Sequence, residues 1–159
     1  MDIIDDILLN KVSQEALESK RKRKNYNFHT SFEDPVNRML NALEPGTYVP
    51  PHNHSDPDKR EVFLILTGQC AVIYFDDEGA ITDGTILDRD KGVYGIEVPP
   101  GRWHTVVALE AGTVVYELKD GPYIPVKDKN RASWAPAEDS SDSSEYLKLL
   151  ENYIYDHLM

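Results

Sequence analysis

Short apolar runs, each followed by a turn signal, fill the middle of the chain at a spacing of roughly ten residues. The runs are rich in Val, Ile, Tyr and Thr, and they end at turns such as Pro99-Pro100-Gly101. No long helical pattern lies between them, which argues against a parallel sheet with helical crossovers. The pattern predicts an antiparallel sandwich or barrel, with strands at residues 38–43, 62–67, 70–75, 81–87, 93–98, 103–109 and 113–118.

Helical patterns flank this region. Apolar residues recur at three- and four-residue steps over the first twenty positions, which predicts a helix with a break near Ser13. Residues 25–29 alternate weakly and suit an extended segment. Residues 124–142 are rich in Pro, Ser and acid and predict an irregular strap, with Trp134 packed against the barrel. Asp142 starts a last amphipathic helix. We expect one domain with an N-terminal segment (1–24), a barrel (25–123), and a strap and helix (124–159).

The charge of the chain narrows the possible partners. The 159 residues carry a formal net charge of −11, which disfavours nucleic acid and anionic membranes as partners. Cys70 is the single cysteine, so neither an internal disulfide nor a cysteine zinc cluster is possible. The N-terminus is acidic, and its apolar runs are too short to span a membrane. We expect a cytoplasmic protein.

Two places in the sequence offer metal ligands. His52 and His54 are two residues apart, so on a strand they point to the same face. Glu61 opens the next predicted strand, and His104 follows the Pro-Gly turn that feeds another. Three imidazoles and a carboxylate would hold a divalent first-row metal and leave positions open for water, substrate or dioxygen. A single His-x-His pair is weak evidence, because such pairs occur by chance. Asp58 is a second candidate for the carboxylate ligand. The prediction of a metal site therefore depends on all three histidines and a carboxylate together.

These residues resemble a known pair of motifs. Gly46, His52-x-His54, Glu61 and Gly68 are similar to the first cupin motif, and Pro99-x-Gly101-x-x-His104 is similar to the second. The resemblance implies an all-β cupin double-stranded β-helix, a jelly-roll barrel, with flanking N- and C-terminal helices. It implies that His52, His54, Glu61 and His104 bind one Fe, Mn, Ni or Zn ion. The spacer before Glu61 is longer than usual, and Ala108 stands where an asparagine is common.

A narrower resemblance covers about residues 25–138. The stretches DPVNRMLNALEPGTYVPPHNH, PDKREVFLILTG, EVPPGRWHTVVALEAGTVVYELKDGPY and WAPAE resemble the WbuC family of cupin-fold metalloproteins. That family takes its name from bacterial surface-polysaccharide (O-antigen) gene clusters. The resemblance implies a metal-binding cupin acting on a small polar or sugar-derived substrate, by metal-assisted isomerisation or oxidation.

Two other functions stay open at this point. One is a non-catalytic cupin that binds or senses a small molecule. The other is a metal-independent sugar-nucleotide epimerase, which would need a His–Asp base and a Tyr acid. Substrate-binding candidates are Arg38, Asn41 and Tyr48, which lie before or within the first motif. The apolar last helix could form a homodimer or cover its own barrel.

Overall fold

The computed structural model describes residues 2–55, 57–123 and 130–159. Two antiparallel sheets face each other across a shared interior. They are built from β1 (Arg23–Asn27), β2 (Val36–Leu43), β3 (Glu61–Thr67), β4 (Gln69–Phe75), β5 (Ile81–Asp88), β6 (Gly95–Val98), β7 (Trp103–Ala108) and β8 (Thr113–Asp120). The order is β1-β2-β8-β3-β6 in one sheet and β5-β4-β7 in the other. This arrangement confirms the predicted cupin jelly-roll barrel. Residues 124–129 of the predicted strap lie outside the described residues.

Each sheet has one helix on its outer face. α1 (Asp6–Glu18) begins at Asp5, whose carboxylate accepts a hydrogen bond from the backbone N–H of Leu8, and it runs unbroken through Ser13. Its buried residues Val12 and Ala16 pack on the outer face of the five-stranded sheet. The predicted break at Ser13 is therefore absent.

α2 (Ser143–His157) covers the other sheet. Its buried residues Leu147, Leu150 and Ile154 pack against Ile73 and Phe75 on the outer face of β4. The apolar side of this helix thus lies on its own barrel. Trp134 contacts the ring of Phe75 at 5.0 Å between centroids, which confirms that it packs against the barrel. Neither helix in the described part of the chain has the length and apolar character needed to cross a membrane.

The inner faces of the strands form the barrel interior, and its two ends differ in chemistry. One end is a closed apolar core, built from Leu43, Phe63, Ile65, Cys70, Val72, Leu87, Val98, Val106, Ala108 and Val115. The other end carries buried polar and charged side chains from the same strands, namely Asn37, Glu61, His104 and Glu117. A core normally excludes such groups unless they are paired. The polar end is therefore the candidate functional site of the barrel.

Candidate metal centre

A pair of backbone hydrogen bonds brings the two histidine motifs together. The N–H of His52 donates to the carbonyl of His104 at 3.0 Å, and the N–H of His104 donates to the carbonyl of His52 at 2.9 Å. Gly101, at φ +72, makes the turn into β7 in a backbone region that favours glycine. Its N–H donates to the carbonyl of His54. The turn therefore places His104 directly opposite His52.

Four side chains converge at this point. His52, His54, Glu61 and His104 each offer one ligand atom, and these atoms all lie within 4.8 Å of one another. Glu61 and His104 are almost fully buried, at 2% and 1% exposure, while His52 is partly exposed. The structure thus brings together all four predicted metal ligands. Asp58, the alternative carboxylate, is not part of the cluster.

Backbone carbonyls determine which nitrogen of two histidines faces the cluster. The Nδ1 atoms of His52 and His104 lie 3.0 and 2.9 Å from the carbonyl oxygens of Pro50 and Arg102. A carbonyl only accepts, so each Nδ1 holds the proton and each Nε2 keeps its lone pair. His104 Nε2 lies 2.9 Å from Glu61 Oε2, and neither atom has a hydrogen-bond partner among the described residues.

The protonation of the cluster also suits a metal ion. Burial lowers the pKa of His52 well below its ordinary value and lowers the pKa of His54 as well. Burial alone would raise the pKa of Glu61, but the adjacent positive charge of Lys119 holds that pKa well below its ordinary value. Neutral imidazole and ionised carboxylate are donors for divalent first-row ions. This cluster, with its unpartnered buried ligand atoms, could bind such an ion.

Two further ionisable residues lie beside the cluster. Lys119, in register with Glu61 across β8 and β3, places its ammonium 2.7 Å from Glu61 Oε1 and 2.8 Å from His54 Nε2. Glu117 is buried and accepts a hydrogen bond from the amide of Asn41 at 3.1 Å. Burial and the charge of Glu61 raise the pKa of Glu117 to about 8. The sequence predictions did not include either residue.

The three predicted substrate-binding residues lie in different places. Asn41 faces the barrel interior, where it binds Glu117. Arg38 is three residues away on β2, hence on the opposite face, and its guanidinium pairs with Asp34 at 3.0 Å. Tyr48 packs in the core under α2, and its hydroxyl donates to the carbonyl of Pro136 at 2.9 Å. Of the three, Asn41 contacts Glu117, which lies beside the cluster, and a substrate role for each stays a prediction.

The fold and the cluster define a cupin-type jelly-roll barrel with a potential metal centre. The sequence matches the family described as "Domain of unknown function (DUF6016)" over residues 4–87, slightly more than half of the chain. The chain belongs to that family. The match includes His52, His54 and Glu61 and ends before His104. A search of curated proteins found no match.

Solved structures share the fold at low sequence identity. The capsular polysaccharide assembling protein CapF from Staphylococcus aureus is 18% identical with a TM-score of 0.55, and the likeness covers 67% of this chain and 28% of CapF. The chain therefore spans less than a third of CapF. SPY1581, a protein of unknown function from Streptococcus pyogenes, is 14% identical with a TM-score of 0.50, over 77% and 90% of the two chains.

Proposed function

We propose that this protein is a metal-dependent cupin that acts on a small polar or sugar-derived substrate by isomerisation or oxidation. The observation that carries the proposal is the buried set of His52, His54, Glu61 and His104, whose ligand atoms converge. Two of these atoms, Glu61 Oε2 and His104 Nε2, are buried without a hydrogen-bond partner in the part of the chain that the structure describes. Leaving such atoms unpaired costs roughly 1–3 kcal/mol each, which a bound cation would offset.

The residues around the cluster suit a polar substrate. A bound divalent ion would polarise a carbonyl or hydroxyl oxygen, or support oxidation by dioxygen. Asn37 is 1% exposed, and none of the described residues forms a hydrogen bond with either atom of its amide. The amide oxygen of Asn41 likewise has no partner among those residues. These groups can donate to and accept from the hydroxyl groups of a small substrate.

The setting in surface-polysaccharide metabolism is the finer part of the proposal. It comes from the sequence resemblance to the WbuC family, and the capsular polysaccharide role of CapF is in keeping with it. Iron, manganese, nickel and zinc all suit the donor set. A homodimer also stays a prediction, since the apolar face of α2 is covered by its own barrel.

The alternative functions predict different contacts. A metal-independent epimerase would orient a histidine base with an aspartate, whereas the Nδ1 atoms of His52 and His104 bind backbone carbonyls. This observation disfavours the epimerase. A binding or sensor cupin would use the same cluster only to hold a ligand. A measurement of substrate turnover is therefore needed to distinguish a binding protein from an enzyme.

The experiment is a substrate screen on protein loaded separately with Fe(II), Mn(II), Ni(II) or Zn(II). Aldoses, ketoses and sugar acids would be followed by NMR for isomerisation and by an oxygen electrode for oxidation. We expect turnover with at least one metal, its loss in His104→Ala, and its retention in His157→Ala on the exposed side of α2. Saturable binding without turnover would identify a binding module. Equal turnover in His104→Ala would contradict the proposal.

A further inference from the structure

Lys119 lies within the ligand cluster although it cannot itself bind a metal. Its side chain is 15% exposed, and its Nζ atom contacts Glu61 Oε1 at 2.7 Å and His54 Nε2 at 2.8 Å. A charged ammonium has three N–H donors and no lone pair. Lys119 therefore donates to both atoms, and the Nε2 lone pair of His54 points at the ammonium.

These contacts determine which donor atoms of the cluster are available to a metal ion. Lys119 takes Oε1 of Glu61, which leaves Oε2 facing His54 Nε2 at 3.1 Å and His104 Nε2 at 2.9 Å. A metal ion is thus offered a single oxygen of Glu61. His54 Nε2 has one lone pair, so it can accept from Lys119 or bind a metal ion, but not both.

We propose that Lys119 is a positioning residue that competes with the metal ion: it restricts Glu61 to one donor oxygen and weakens metal binding. The inference rests on the metal site of the proposed function. A divalent ion at this cluster would lie a few ångströms from a fixed positive charge, and like charges repel strongly where solvent screening is low. The net affinity is accordingly below that of the same ligands without Lys119.

The same contact gives the protein a reason to keep the lysine. Glu61 is 2% exposed, and an isolated ionised carboxylate is costly to bury. Lys119 supplies a counter-charge that belongs to the chain itself. Folding of the polar end then does not depend on a metal ion, in contrast to a structural zinc site, where metal binding drives folding. The site is suited to an exchangeable metal.

The test is the dissociation constant for Zn(II), measured at pH 7.5 by competition with a chelator. Lys119→Gln keeps a hydrogen-bond donor for Glu61 and removes the charge, whereas Lys119→Arg keeps the charge. Lys148→Gln makes the same charge change on the exposed side of α2. We expect Lys119→Gln to bind at least about tenfold more tightly, a change of about 1.4 kcal/mol. Lys119→Arg and Lys148→Gln should stay within about threefold of the wild type.

Several results would decide against the inference. Equal or weaker Zn(II) binding by Lys119→Gln would overturn it, and weaker binding would mean that Lys119 only orients Glu61. If Lys148→Gln tightened Zn(II) binding to the same degree, the effect of Lys119→Gln would come from the net charge of the protein and not from the position of Lys119. If Lys119→Gln folds only when Zn(II) is present, the inference is supported, because Glu61 would then lack any other counter-charge. No Zn(II) binding by any variant would instead overturn the proposed function and this inference with it.

Discussion

Leu43 and Asn37 lie on the same inner face of β2, yet their surroundings are opposite. Leu43 is fully buried in the apolar end of the barrel, whereas Asn37 is buried in the polar end, where neither of its amide atoms has a partner within residues 2–55, 57–123 and 130–159. The same strands thus build a closed core at one end and a set of unpaired polar groups at the other. Buried polar groups that are not fully satisfied reduce stability, so the comparison assigns stability to one end and function to the other.

The largest effect should come from the apolar end. Leu43→Ala removes a fully buried side chain from a closed core, so we expect a loss of about 2–5 kcal/mol in the free energy of unfolding. Urea unfolding measures the loss. The control is Leu149→Ala, since Leu149 is 55% exposed on α2 and its replacement should change stability by less than about 0.5 kcal/mol. A Leu43→Ala cost below that of the control would contradict the division of the barrel.

A pH-dependent effect should come from Glu117 at the polar end. Burial and the charge of Glu61 raise the pKa of Glu117 from an ordinary 4.5 to about 8. Between these values the folded protein holds a proton that the unfolded chain has lost, so the wild type loses stability as the pH rises through this window. The glutamine side chain does not titrate, so its contribution to stability does not change with pH in this window. Relative to the wild type, Glu117→Gln should therefore gain more than about 1 kcal/mol of stability between pH 5 and pH 8.

Urea unfolding at several pH values from 5 to 8 measures this gain. Glu151→Gln, on the exposed side of α2, is the matched control and should follow the wild type throughout. Parallel stability curves for Glu117→Gln and the wild type would show that Glu117 titrates in the folded protein as it does in the unfolded chain.

The smallest effect should come from Asn37. Because the amide of Asn37 makes no hydrogen bond to any described residue, Asn37→Leu should change the free energy of unfolding by less than about 1 kcal/mol, or stabilise the protein. The metal content of the Asn37→Leu variant should equal that of the wild type. A loss of more than about 2 kcal/mol on urea unfolding would show that the amide has a structural partner and that stability also depends on the polar end.

The four residues of the cluster were predictable because each follows a local signal. The His-x-His spacing and the Pro-Gly turn before His104 place imidazoles on strand faces, and Glu61 opens a strand. The structure confirms the fold and brings these four residues together. The seven predicted barrel strands also correspond to β2–β8, with small shifts at their ends.

Glu117 and Lys119 could not be predicted by the same reasoning. On β8 they alternate with Val114 and Tyr116, so a strand pattern assigns the charged residues to the solvent face. The reverse holds, because α1 covers the face of Val114 and Tyr116 and the charged residues point inward. In addition, the predicted strand ended at residue 118, whereas β8 continues to Asp120. The inward orientation of Glu117 and Lys119 becomes evident only when α1 is seen to cover the opposite face of β8.

The proposed function requires that the polar end of the barrel hold a metal ion. The most direct measurement is elemental analysis of protein purified without chelators and then reconstituted with iron, manganese, nickel or zinc. It would compare the wild type with His104→Ala and with His157→Ala as the control. We predict about one ion per chain in the wild type and in His157→Ala, and none in His104→Ala, because His104 lies at the buried centre of the cluster. No ion in the reconstituted wild type, or equal content in His104→Ala, would contradict the claim.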